Sequence, residues 1–117
     1  MQDKINRKLQ RHHLILYLNV FDAKSGNLLG HLVDINDEGI MLMSNKPIEV
    51  GKVFHLKLTL PTEDDSNSEE LIFDAKSLWC KLGPNNEIFD TGFQLEGASA
   101  MVRATIRELI REMGFDN

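Results

Sequence analysis

Residues 53–60, Val-Phe-His-Leu-Lys-Leu-Thr-Leu, alternate without a break and stop at Pro61. On an extended chain Phe54, Leu56, Leu58 and Leu60 fall on one side and Val53, His55, Lys57 and Thr59 on the other. A half-apolar ribbon of this kind is stable only inside a sheet that buries one face. The same period governs the start of the chain, where Leu14, Leu16, Leu18 and Val20 oppose Ile15, Tyr17, Asn19 and Phe21. Further apolar runs at 28–35, 40–44, 71–80 and 87–95 are separated by turn formers: Asp22 to Asn27, Asn45-Lys46-Pro47, Glu49-Val50-Gly51 and Gly83-Pro84-Asn85-Asn86. Phe89, Thr91, Phe93 and Leu95 share a face of the last run, and Gly92 within it signals a bulge or a close backbone approach.

After these strands the period changes. Ser99 is placed to cap a helix whose apolar stripe is Val102, Ile106, Leu109, Ile110 and Met113, with Gly114 at its stop. Six short strands and one amphipathic helix predict an all-β fold, a six-stranded antiparallel barrel with a C-terminal α-helix over one opening or face. Arg103, Arg107 and Arg111 recur every four residues and, with Glu108 and Glu112 nearby, read as a solvated face. Residues 62–70 read as an acidic loop that lacks the spacing of a calcium loop.

At 117 residues and 42% hydrophobic content, the chain fits one domain with a real core. It has no run long enough for membrane insertion and no signal-like start, and its one cysteine, Cys80, forms no internal disulfide. These features predict a cytoplasmic protein, with Cys80 a structural thiol. Lys4, Arg7, Lys8 and Arg11 against Asp3 give residues 1–13 a net +3, so the remainder carries −8 of the total −5. The first 13 residues therefore read as a flexible basic arm and 14–117 as the barrel with its helix. A basic arm on an acidic body speaks against DNA or RNA as partner and for a small anion held locally. His12, His13, His31 and His55 have no metal spacing and no nucleophile beside them, so neither a metal site nor an enzyme is expected.

One hexapeptide, Asp34-Ile35-Asn36-Asp37-Glu38-Gly39, joins two of the expected strands. Asp34 and Asn36, two apart, point to the same side of an extended backbone and offer acceptors and a donor together. Gly39 permits reversal at positive φ and a close approach to the backbone. Read alone the stretch is a hairpin turn. The arm adds to it Arg7-Lys8-Leu9-Gln10-Arg11, an R-x-x-x-R just before the first strand.

In that order and context, R-x-x-x-R followed by D-x-N-x-x-G resembles the PilZ domain family, which carries R-x-x-x-R and [D/N]-x-S-x-x-G. Leu56 to Pro61 looks like its middle strand ending in proline, Leu78-Trp79 like its apolar-Trp strand ending, and Thr91 to Leu95 like its last strand. The likeness runs from about Arg7 to Phe115. It implies a PilZ-type barrel that binds the bacterial second messenger cyclic di-GMP, without a further cofactor. Arg7 and Arg11 would grip phosphate and guanine, Asp34 would accept from guanine N–H groups, Asn36 would face the ligand, and Gly39 would let the bases lie close. The chemistry agrees, since guanidinium pairs bidentately with phosphate and with guanine O6 and N7. Ligand would order the arm and alter the surface met by a protein partner.

Two departures stand out. Asn36 replaces the family serine with a longer arm. Asp37 and Glu38 bring charge that repels phosphate: like charges ~8 Å apart at an effective dielectric of ~20 cost about 2 kcal/mol before screening. The competing expectation is a degenerate PilZ-like interaction module that does not bind the nucleotide.

Overall fold

Each alternating run becomes a strand because its apolar half finds the same interior. The computed structural model describes residues 18–60, 69–84 and 86–113, with side chains through Arg111. The strands are β1 (Leu18–Asp22), β2 (Leu28–Asn36), β3 (Gly39–Ser44), β4 (Val53–Leu60), β5 (Glu69–Leu82) and β6 (Phe89–Glu96), followed by helix α1 (Ala100–Met113). All neighbours are antiparallel, and the order β1-β2-β3-β6-β5-β4 closes on itself through β1 and β4. The six-stranded barrel with its C-terminal helix is the expected fold.

Val20, Leu32, Leu42, Leu56, Leu58 and Ala75 are fully buried inside, and Phe54 meets Phe93 edge to face at 5.8 Å. The helix adds Ile106 and Leu109 to this core. Ser99 caps it, its hydroxyl accepting from Val102 N–H at 3.1 Å. Met113 keeps its place at the end of the helix, while Gly114 lies outside the described residues.

The hairpin turns follow their sequences. Asp22 accepts from Lys24 and Ser25 N–H groups, and Gly26 takes φ +80° before β2 begins. Gly51 takes φ +83° in the connection to β4, which Ser77 of β5 holds down. Its buried hydroxyl donates to Glu49 C=O at 2.6 Å and accepts from Lys52 N–H at 3.2 Å.

β6 starts two residues later than expected, at Phe89, and β5 differs from expectation at both ends. Glu69 and Glu70, expected in the acidic loop, pair with Leu60 and Thr59 as the first residues of β5. The hairpin partner supplies the reason, since Lys57 Nζ stands 3.6 Å from Glu70 and offsets its charge. β5 also runs two residues past Cys80, paired with β6 to Leu82.

Candidate functional site

Period two taken literally would put polar side chains and an indole inside this barrel. Counting from inward Leu32, Asp34 and Asn36 would point into the core; counting from inward Ser77, so would Trp79. Both strands avoid this with a bulge. The β2–β3 register shifts between Leu32 and Asp34, and the β5–β6 register shifts between Ser77 and Trp79. Val33 and Leu78 are the extra residues, and each turns its successor outward. Asp34 and Asn36 are exposed with buried Ile35 between them, and Trp79 is 39% exposed.

The two outward residues end one row across the sheet. Asp34 pairs with Met41, Met41 with Gly92, and Gly92 with Trp79. A side chain at position 92 would overlap the Trp79 indole, with Cζ2 at 2.7 Å from an added Cβ, so glycine lets the ring lie down on the strand. The close approach expected at Gly92 is therefore made by a neighbouring ring, and the bulge lies on β5. Asp34, Asn36, Gly39, Met41, Leu78 and Trp79 border a shallow depression of about 240 Å³ along this row.

The turn beside it is built differently from its sequence expectation. Asn36 pairs with Gly39 around the two-residue turn Asp37-Glu38, and neither these residues nor Gly39 have positive φ. The Asn36 carboxamide makes the reversal instead, its Oδ1 accepting from Glu38 N–H at 2.8 Å and Gly39 N–H at 3.0 Å. Asn36 thus presents mainly its N–H₂ group outward. Gly39 is required by its other side, where an added Cβ would run into the Phe93 carbonyl of β6. Asp34 is steadied by its neighbour, with Oδ1 accepting from Ile35 N–H at 2.9 Å.

Asp37 is not the bare repulsive charge that the sequence suggested. Arg107 Nε donates to its Oδ2 at 3.2 Å, and Arg103 donates to its main-chain carbonyl. Both arginines belong to α1, so the helix face expected to be solvated reaches the turn instead. Arg111, one turn further, pairs with Glu108 along the helix. Arg7 and Arg11 lie outside the described residues, as does the remainder of the arm.

A family model for the PilZ domain matches residues 6–112. The chain belongs to the PilZ domain family. The match begins before Arg7 and runs through the helix that carries Arg103 and Arg107. Among solved structures, the Bacillus subtilis inhibitor of motility MotI/DgrA is similar, with a TM-score of 0.63 and 15% identity over 87% of this chain and 48% of that one. The PilZ domain of Escherichia coli YcgR, solved with c-di-GMP, has a TM-score of 0.60 and 16% identity over 85% of this chain and 82% of that one. This PilZ chain thus spans about half the length of MotI/DgrA. No curated protein matches by sequence.

Within this PilZ barrel the structure gathers three of the five residues read from sequence, Asp34, Asn36 and Gly39, on one rim. Trp79 and Met41 also border the depression and were not read as candidate site residues. The signal existed in the Leu78-Trp79 dipeptide, but strict alternation places Trp79 inside, and only the bulge reverses that. Among the described residues, no group of three or more His, Cys, Asp or Glu is placed to hold a metal, and no helix is long and apolar enough to cross a membrane.

Proposed function

We propose that the depression between Asp34 and Trp79 receives a guanine of cyclic di-GMP, and that the protein is a receptor acting on a protein partner. The observation that carries the reading is the pair of bulges that turns a carboxylate and an indole outward at opposite ends of one row. Asp34 accepts from the guanine N1–H and amino group, the edge that adenine lacks. Trp79 supplies a stacking face. Lys81 holds its ammonium 5.3 Å from that ring, a contact worth about 0.5–1 kcal/mol at an exposed site, whereas base stacking is worth about 1–3 kcal/mol. The base therefore displaces Lys81. Asn36 donates from its amide N–H₂, and Arg7 and Arg11 close over the phosphates from the arm. With Arg107 beside Asp37, the acidic turn opposes the ligand less than its sequence suggests.

Calorimetric titration with cyclic di-GMP tests the reading, with GMP and cyclic di-AMP as controls. Heat with cyclic di-GMP and none with cyclic di-AMP is the expected result. Silence at ligand concentrations of order 100 μM (about −5.5 kcal/mol of binding) would move the protein to the nucleotide-free interaction module.

A further inference from the structure

The β2–β3 turn is held from three directions. Asn36 Oδ1 ties Glu38 and Gly39 N–H groups from within, and Leu95 N–H of β6 donates to Glu38 C=O at 2.9 Å. From the outside, Arg103 of α1 takes the carbonyl of Asp37 and Arg107 its carboxylate. Backbone and side chain of one turn residue are thus gripped by two arginines one helical turn apart. The same turn supplies Asn36 and Gly39 to the rim of the depression. Its tip therefore faces the helix while its base borders the candidate site.

We infer that this clamp makes α1 the output element of the site: filling the depression shifts the turn, and the turn draws the first half of the helix with it. The inference rests on the reading of the depression as a ligand site. The fastenings of α1 differ along its length. Ile106 and Leu109 anchor its inner face in the core, and Ser99 caps its start. The clamp engages positions 103 and 107, on either side of Ile106, so a shift of the turn tilts the helix about its buried contacts without extracting them. The pair is partly exposed, with Arg107 at 55% and Asp37 at 38% side-chain exposure. An ion pair so open to water is weak enough to rearrange without unfolding the domain. It is directional all the same, because Arg103 holds main chain and cannot slide along a carboxylate. What a partner would sense is the outward surface of α1, including Met101, which is 77% exposed, and Ala104 and Glu108.

The test is amide hydrogen exchange across residues 101–110, with and without cyclic di-GMP, in the parent and in two variants. Arg103→Gln/Arg107→Gln removes both grips; Asp37→Asn removes the carboxylate but leaves the main-chain carbonyl to Arg103. In the parent, ligand should change exchange of these helix amides at least threefold. In the double arginine variant cyclic di-GMP should still bind by calorimetry, more weakly because Asp37 loses its ion partner, while at saturating ligand the helix response falls to nothing; Asp37→Asn should retain part of it. Binding to the parent with an unchanged helix would overturn the inference and leave the ligand site intact. So would an equal helix response in parent and double variant. Failure of the parent to bind the nucleotide would instead remove the ligand site, and the inference with it. Should the double variant not fold, which circular dichroism would show, the single variants Arg103→Gln and Arg107→Gln carry the decision: an undiminished response in both refutes the clamp, and a reduced one in either upholds it.

Discussion

At the scale of single residues, the site depends on where polar groups are already committed. Asp34 and Asn36 were legible as a same-side pair from their spacing. What they offer a ligand was not legible, because it depends on hydrogen bonds within the turn. Asn36 has its oxygen engaged twice, so Asn36→Ser should keep the turn, since a serine hydroxyl can accept from the same N–H groups, while Asn36→Leu should disrupt turn and site together. Gly39 was read as a reversal point at positive φ and as a place of close approach; the reversal does not use positive φ, and the close approach is that of the Phe93 carbonyl. Trp79→Ala should weaken cyclic di-GMP binding by about 1–3 kcal/mol in calorimetry, because stacking on the indole is lost, and should lower the melting temperature as well, because the ring packs on Gly92. Thr91 gives a prediction of opposite sign. Its side chain is fully buried, and its hydroxyl has no hydrogen-bond partner among the described residues. Thr91→Val removes an unpaired buried polar group at nearly constant shape and should raise stability by roughly 1 kcal/mol in urea denaturation.

At the scale of elements, strand identity was written in the alternation, and strand direction relative to the core was not. β4 is regular, and its inward set Phe54, Leu56 and Leu58 is the one its sequence announces. β2 and β5 each change phase at one residue, and no turn former marks the place. Val33 and Leu78 look like ordinary strand residues; what selects the bulge in β2 is the cost of burying Asp34 or Asn36 without partners, about 1–3 kcal/mol for each polar group and more for a charge. The helix was legible as an amphipathic stripe, but its contact with the turn joins residues 66 or more apart and leaves no local trace. The β3–β4 connection provides an element-scale test. Ser77→Ala removes both the donor to Glu49 and the acceptor for Lys52, so it should destabilise the domain by roughly 1–3 kcal/mol and speed amide exchange at Gly51 and Lys52.

At the scale of the molecule, the fold class followed from strand count and turn spacing, while the strand order could not be read from the chain. A ligand that binds only the folded barrel should stabilise it by linkage. At cyclic di-GMP concentrations of about 100 times the dissociation constant the gain is roughly 2.7 kcal/mol, visible as a raised melting temperature, and Asp34→Ala should erase most of it at the same concentration. The strand order has a further consequence, for synthesis. β6 lies between β3 and β5, so the last strand made is the one that closes the cylinder. Until it leaves the ribosome, two finished strands each present a row of unpaired amide and carbonyl groups, and the nascent chain is open to pairing with another copy of itself. Closure in this topology is therefore late and non-local, and the interval before residue 96 emerges is when the chain most needs protection.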